Sequence, residues 1–242
     1  MNKVEARINY NYYKQIADKI IQLLDGIHES QLSDKRWVWE LMQNAKDVPN
    51  KFGRVSVLIE LWEDKLIFSH NGDYFTDGNI TGLIQQVSSK DSANEGELKQ
   101  TGKFGTGFIT THLLSNIIDV KGVVKNPNTG EYQNFKLTLD RSARKSEDMI
   151  ESIAQNLEWV KGLDNDNYQD FPIANNYESR SENEYLTSFT YYLNEDSLKS
   201  ATIGLSDLIN TLPITMVSLR ELKSVRVVNH VEGTEQLYEC NS

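Results

Sequence analysis

Apolar residues recur along this 242-residue chain with two different periods, and the changes of period constrain the fold most. Over 10–28 they return every three or four residues, which predicts an amphipathic helix, and a second helix is expected over 33–47, before Pro49. Over 55–61 they alternate with mostly polar neighbours, which predicts a strand, and 65–69 continues the extended pattern. Such a chain folds into helices packed on a sheet.

The rest of the chain continues this alternation. Further helices are predicted at about 77–87, from the glycine-rich turn at 102–107 through Leu114, at 146–160 and at 196–211, and further strands at 117–124, 131–139, 185–193 and in a final hairpin around Glu232-Gly233. We expect an α+β, two-layer sandwich in which helices cover one face of a mixed, mainly antiparallel sheet. Residues 1–212 are expected to form one domain. Residues 213–242 are expected to start a following domain or to be a C-terminal extension, so that the chain is the N-terminal part of a longer polypeptide.

Composition narrows the classes of partner. The chain has 35 acidic and 25 basic residues, a formal net charge of −10, which argues against direct binding of a nucleic-acid backbone by this segment. A nucleotide stays possible, because a bound metal ion supplies local positive charge. Cys240 is the single cysteine, the residues after Met1 lack the apolar core of a signal peptide, and no apolar run approaches the ~18 residues of a membrane span. We expect a cytoplasmic protein that does not bind membranes.

The first group of candidate functional residues lies on the predicted helix 33–47. Glu40, Asn44 and Asp47 are spaced by four and three residues, so a helix places them on one face. Carboxylate and amide oxygens there suit a hard cation and the orientation of a water molecule. The alternative is an ordinary solvated helix face.

The second group follows the strand predicted at 65–69. His70-Asn71-Gly72-Asp73 runs from the strand end into a glycine turn, where polar side chains can face a pocket. The alternative is a common connecting turn with no ligand.

The third group is the run Gly102-Lys103-Phe104-Gly105-Thr106-Gly107-Phe108, which is expected to open a helix. Closely spaced glycines let backbone N–H groups approach an anion, and the N-terminus of a helix adds partial positive charge. The spacing fits neither the dinucleotide-binding fingerprint nor a P-loop, in which a Ser or Thr would replace Phe104. The polar stretch 88–101 before it is typical of a lid or of a disordered loop. Tight packing is the alternative explanation of the glycines.

In this order and spacing, the three groups resemble the motifs of the GHKL ATPases, most of all the 90-kDa heat-shock chaperones and their sacsin-like bacterial relatives. The resemblance covers about 15–215. Residues 40–47 are similar to the N-box of that superfamily and 102–108 to its second glycine box, while 186–196 is similar to a late strand that places a threonine under the adenine. The resemblance implies the Bergerat ATP-binding fold, with a lid at about 88–104.

The resemblance also implies a role for each matched residue of the helix and of the glycine box. Glu40 would be the general base that activates water, Asn44 would ligate Mg²⁺, and Asp47 would support the adenine end through water. Gly102, Lys103, Phe104, Gly105, Thr106, Gly107 and Phe108 would surround the phosphates. Lys103 would reach the γ-phosphate or point into solvent.

Other matched residues would contact the base and ribose. The resemblance implies that His70, Asn71 and Gly72 contact the base. His70 occupies the position at which the superfamily usually carries an aspartate that accepts the adenine amino proton, Asn71 follows it, and Tyr74 stands in place of the second glycine. A histidine nitrogen or an asparagine carbonyl would accept that bond more weakly than a carboxylate, or His70 is only packed at the strand end. Thr187 would bond to the adenine or to its water, or is a strand residue without such a role. Ser88, Ser89 and Lys90 would touch ribose or phosphate, or are solvated loop residues.

The leading hypothesis is Mg²⁺-dependent ATP binding and slow hydrolysis that drives lid closure in a larger chaperone-like or defence-type protein. The resemblance implies nucleotide-dependent homodimerisation and further domains of the same polypeptide as partners, one of which supplies a cationic side chain for hydrolysis. The second hypothesis is a nucleotide-sensing module without significant turnover. The third is a degenerate fold kept as a scaffold.

Overall fold

The computed structural model describes residues 3–28, 33–86, 107–165 and 167–240. Its α-helices are α1 (Lys3–His28), α2 (Ser33–Lys46), α3 (Asp77–Gln85), α4 (Ser146–Val160) and α5 (Glu195–Thr215). Its strands are β1 (Val55–Leu61), β2 (Lys65–His70), β3 (Ile117–Lys125), β4 (Tyr132–Asp140), β5 (Thr187–Tyr192), β6 (Leu222–Asn229) and β7 (Thr234–Glu239). Short 3₁₀ helices span Phe108–Leu113 and Lys161–Asn165.

The strands form one mixed sheet in the order β4-β3-β5-β2-β1-β6-β7. The β1–β6 pair is parallel, and the other neighbouring pairs are antiparallel. The centre of the sheet therefore combines β2 and β5, which are distant in sequence and directly hydrogen-bonded.

The two faces of the sheet differ in polarity. On one face, alternate residues such as Val57, Phe68 and Phe189 are buried in the core beneath the helices. On the other face, Asp119 accepts hydrogen bonds from Thr138 and Tyr192 in a polar, partly exposed network. One covered and one solvated face make a two-layer sandwich, which confirms the predicted α+β class.

Helix α2 is fixed on this sheet by α5. Trp37 of α2 is fully buried, and its indole N–H donates to the carbonyl of Ser200 at 3.3 Å. Trp39 of α2 reaches Asp207 of α5 in the same way, also at 3.3 Å. These contacts hold the helix that carries the first group of candidate residues.

The predicted elements are found, with differences at their ends. Helix α1 begins at Lys3 rather than near 10, because its first turns are mostly exposed and have no apolar stripe to reveal them. The segment expected as a helix through Leu114 is a 3₁₀ helix of six residues, in which Thr110 and Thr111 donate hydroxyl bonds to carbonyls three residues back. The partial positive charge expected at the N-terminus of a longer α-helix is therefore reduced here, because the 3₁₀ helix has only six residues.

Helix α5 continues through Pro213 to Thr215, and β6 and β7 after it join the sheet beside β1. A division of the chain at 212 stays a prediction. None of the helices in the described ranges combines the length and the apolar character that a membrane span requires.

Candidate functional site

Glu40 on α2 and Gly107, the last glycine of the predicted phosphate loop, are in direct contact. A Cβ added at Gly107 would lie 2.0 Å from Oε2 and 2.7 Å from Cδ of Glu40. Because φ at Gly107 is −67°, an ordinary helical value, the position needs glycine for space and not for conformation. The carboxylate is one-fifth exposed, and Arg36, one turn earlier, donates from Nε to Oε1 at 3.0 Å.

Asn44 lies one turn after Glu40 on the same helix and is partly buried. Its Nδ2 atom is buried without a hydrogen-bond partner in the described part of the chain. Buried side-chain amides normally bond at both ends, so this amide is available to a further group. The unpartnered Nδ2 atom is a hydrogen-bond donor that would suit a phosphate oxygen, whereas Mg²⁺ would be held by Oδ1 of the same amide. The remaining ligands would be phosphate oxygens and water, since no cluster of three His, Cys, Asp or Glu occurs among the described residues.

His70 and Thr187 are partners across the β2–β5 pair, and both are buried. Directly opposite residues of an antiparallel pair point to the same face of the sheet. Here that face is the one beneath the helices, since the His70 ring stacks on Phe189 and meets the edge of Phe68. Two residues predicted from separate motifs to contact the base thus lie side by side.

Within the described residues, the His70 ring makes one hydrogen bond. The backbone N–H of Gly72 donates to its Nδ1 at 3.1 Å. Burial lowers the pKa of His70 to about 4, because an apolar environment disfavours the imidazolium form. A Cβ at Gly72 would lie 2.7 Å from both His70 Nδ1 and the carbonyl oxygen of Val48, so this glycine is needed for close packing.

Asn71 has a structural role in this turn. Its Oδ1 accepts from the backbone N–H of Ser56 at 2.6 Å, and its Nδ2 donates to the carbonyl of Glu182. Both ends of the amide are therefore bonded to the backbone of neighbouring segments.

Asp73 is hydrogen-bonded to the segment before β5. Its Oδ1 accepts from the hydroxyl of Tyr177 and from the backbone N–H of Tyr74, and Arg180 approaches it at 3.5 Å. The Arg180 guanidinium also lies over the Tyr177 ring, 3.8 Å from its centroid. Burial and the Asp73 carboxylate raise the pKa of Tyr177, so the phenol remains a donor. Sequence analysis missed Tyr177 and Arg180, because the segment that carries them has no apolar period.

Asp47 lies at the end of α2 beside a cavity of about 190 Å³. The cavity opens between the end of α2 and the turn after β2. It is lined by Asp47, Val48, Pro49, Asp73, Tyr74, Thr76 and Asn79. The predicted support for the base end thus borders an actual space next to the glycine turn.

Several predicted site residues lie outside the described residues. They are Ser88, Ser89, Lys90, Gly102, Lys103, Phe104, Gly105 and Thr106, together with the predicted lid at about 88–104. Phe108, which follows Gly107, is buried and packs against Phe189 with ring centroids 5.5 Å apart. Phe108 thereby links the end of the glycine run to the strand that carries Thr187.

Two further buried polar residues are His112, in the 3₁₀ helix after Gly107, and Arg141, which follows β4. His112 is buried, its Nδ1 faces the carbonyl of Ser115 at 3.0 Å, and its Nε2 has no partner in the described ranges. Burial and the nearby Arg141 lower the pKa of His112 to about 3. Arg141 is itself buried and donates to the carbonyl of Ile84 in α3 at 2.6 Å.

No family model matches the chain, and no curated protein matches it. Among solved structures, the ATP-binding domain of topoisomerase IV from Francisella tularensis, in complex with a small-molecule inhibitor, is similar to the chain. The identity is 13%, over 84% of this chain and 85% of that chain, with a TM-score of 0.42. At this identity, the functional residues are judged from the contacts of the chain itself.

Proposed function

We propose that the chain is a GHKL-type domain that binds a purine nucleoside triphosphate with Mg²⁺ and hydrolyses it slowly, ATP being the nucleotide that the sequence resemblance implies. The contact between Glu40 and Gly107 carries this proposal. It brings the predicted general base to the end of the predicted phosphate loop, although the two motifs are far apart in sequence. An isolated solvated helix face would not explain that contact.

In this mechanism Glu40 accepts a proton from the attacking water beside the γ-phosphate, and its position against Gly107 limits where that water can lie. Asn44, one helical turn away, would hold the metal ion through its side-chain amide oxygen. The bound Mg²⁺ would neutralise charge on the phosphate oxygens. The residues of the glycine run would donate backbone N–H groups to the phosphates.

The base would lie at the other end of the site. His70 and Thr187 would contact its edge, because they are neighbours on the covered face of the sheet. Asp47 would support the base through water from the cavity at the end of α2. Glu40 and Asn44 lie on α2, and Asp47 directly follows its last residue. Helix α2 would therefore point from the phosphate end of the site to the base end.

The larger cycle extends beyond these residues. The predicted lid would close over bound nucleotide and exclude water. We propose that further domains and nucleotide-dependent homodimerisation complete the catalytic site in a chaperone-like or defence-type protein. The isolated chain would then be a weak ATPase.

The ion pair between Arg36 and Glu40 favours a second candidate, a nucleotide sensor with negligible turnover. The Arg36 guanidinium occupies Oε1 of Glu40 and restrains the carboxylate in one position. In a sensor, Glu40 would be held in this pair and binding alone would change the conformation.

Parallel calorimetry and phosphate-release assays on Glu40→Gln, Asn44→Ala and wild type distinguish these candidates. An enzyme loses turnover in Glu40→Gln and keeps nucleotide binding, whereas Asn44→Ala weakens Mg-dependent binding. A sensor binds nucleotide, and wild type has no turnover to lose. Gln43→Ala, at an exposed position on the same helix, is the matched control and should behave as wild type. If wild type fails to bind any purine triphosphate at millimolar concentration, the proposal is wrong and the scaffold hypothesis replaces it.

A further inference from the structure

Strand β4 lies at one end of the sheet, and half of its outer edge is already paired. The backbone N–H of Asn134 donates to the carbonyl of Pro172 at 2.7 Å. The N–H of Ala174 donates to the carbonyl of Tyr132, also at 2.7 Å, so residues 172–174 run antiparallel to β4. This edge therefore accepts an extended segment as a further strand.

The second half of the same edge faces a groove. Outward-pointing backbone groups recur at every second residue of an edge strand, so those of Lys136, Thr138 and Asp140 point the same way as those of Asn134. A groove of about 540 Å³ lies along them, within the range of about 300–1,000 Å³ typical of ligand pockets. We call it the edge groove, bounded by residues 136–140 of β4 and 148–159 of α4.

Helix α4 determines what fits into the edge groove. Ser152 Oγ donates to the carbonyl of Asp140 at 3.1 Å, and Asn156 Nδ2 donates to the carbonyl of Thr138 at 3.2 Å. The helix therefore runs beside the edge, which favours a single extended segment over the edge of a second sheet. Each carbonyl keeps a second lone pair for the N–H groups of that segment.

The edge groove is acidic. The carboxylates of Asp140, Asp148 and Glu151 line it, and neither Asp148 nor Glu151 forms an ion pair with a described residue. Of the lining residues only Lys136 is basic, and its Nζ lies 3.2 Å from Asp119 on the solvated face of the sheet. Unpaired carboxylates attract a basic partner, whereas a second copy of this chain, with a net charge of −10, would add negative charge.

We propose that the edge groove binds an extended, basic peptide segment of a partner protein, which adds a strand to β4. The backbone of the segment bonds to the outward groups of Lys136 and Thr138, and its Lys or Arg side chains meet the carboxylates of the groove. This binding is independent of the nucleotide function proposed above.

A peptide titration followed by calorimetry and amide hydrogen exchange tests the proposal on the 242-residue chain. The probe is a capped peptide of alternating lysine and valine, about six residues long, the usual length of a strand. Its control is the same peptide with glutamate in place of lysine. We expect saturable binding of the basic peptide alone and slower exchange at residues 136–140. Absence of saturable binding at millimolar concentration overturns the proposal, and so does binding that leaves exchange at 136–140 unchanged.

Two variants of Lys136 separate strand addition from attraction between charges. Lys136→Ala removes a positive charge and keeps the outward N–H, so it should bind the basic peptide at least as tightly as wild type. Lys136→Pro removes the same charge together with the N–H, at an edge position where proline is tolerated. Its affinity should fall about tenfold or more. Circular dichroism checks that both variants fold, and equal affinities of the two overturn strand addition.

A variant of α4 tests the acidic wall. Glu151→Gln should weaken binding of the basic peptide about two- to fivefold, the effect of one exposed charge pair. Glu147→Gln makes the same charge change at an exposed position of α4 outside the groove, and should bind as wild type does. Equal effects of the two substitutions would place the peptide elsewhere on the acidic surface.

Discussion

The α-carbon of Gly204 on α5 lies against the indole of Trp37 on α2. An added Cβ would lie 2.3 Å from the indole nitrogen and 2.8 Å from the carbonyl oxygen of Asp34. Position 204 has room for the hydrogen atom of glycine but not for a methyl group, so the two helices pack in close contact there. Because α2 carries Glu40 and Asn44, this contact helps to hold the candidate site in place against α5.

Gly204→Ala should destabilise the fold, because neither the buried indole nor the α2 backbone can move away without loss of packing. We expect a decrease of about 1–3 kcal/mol in the free energy of unfolding, measured by chemical denaturation. Gly82→Ala is the control, since nothing lies within 4 Å of its added Cβ in α3. That change should be neutral or stabilising by up to about 1 kcal/mol. Equal effects of the two substitutions would refute the close approach.

Gly107→Ala should affect chemistry more than folding. The added methyl group displaces the Glu40 side chain, which is partly exposed and can rotate. Turnover should fall on the order of tenfold to a hundredfold in a phosphate-release assay. Nucleotide affinity should change less, and Gly82→Ala again serves as control. Unchanged turnover would show that Glu40 does not act where it contacts Gly107.

Tyr177→Phe tests the link between the glycine turn and the segment before β5. It removes the hydroxyl that donates to Asp73 and leaves the carboxylate partly buried with fewer donors. We expect a loss of about 1–2 kcal/mol in the free energy of unfolding. Tyr168→Phe, at an exposed position without a hydroxyl bond to described residues, should change the free energy of unfolding little. If both variants unfold alike, the Tyr177 bond does not hold the turn.

Stability should fall as the pH falls from 6.5 to 5. The folded-state pKa values of His70 and His112 are about 4 and about 3, below the unfolded value near 6.5. Protonation therefore favours the unfolded chain, and the stabilisation is complete only above the unfolded pKa. Each histidine contributes a slope of up to about 1.4 kcal/mol per pH unit in this window, where most carboxyl groups remain ionised. Urea denaturation at several pH values measures the slope, and His112→Gln should halve it. A flat profile in wild type would contradict the burial of both rings.

The sequence predicted the elements well where one face of an element is buried. The alternation at 55–61 and the helical period of α2 follow directly from the covered sheet face, so β1 and α2 lie where expected. Spacing also predicted that Glu40 and Asn44 share a face. The resemblance implied that Glu40 and Gly107 lie at the same end of the site, but the direct contact between them could not be predicted from spacing, because it depends on how α2 packs against the segment after the glycine run.

Other features depend on contacts that leave no local pattern. Tyr177 and Arg180 belong to a polar segment without periodicity, and their partner Asp73 is distant in sequence. The bond from the Gly72 N–H to the His70 ring depends on the conformation of the turn, which composition and spacing do not encode. The 3₁₀ helix after Gly107 reflects threonine hydroxyls that compete for backbone carbonyls.

The parallel pairing of β1 with β6 bears on how the chain folds during synthesis. Strand β6 covers the second edge of β1, and β2, β3, β4 and β5 are all synthesised between these two strands. Before β6 pairs with it, β1 has a row of unpaired N–H and C=O groups beside an apolar face. An exposed edge of this kind favours pairing with other chains. The sheet is therefore complete only after β6 and β7 have been translated, and slow synthesis or crowding of nascent chains before that point should promote aggregation.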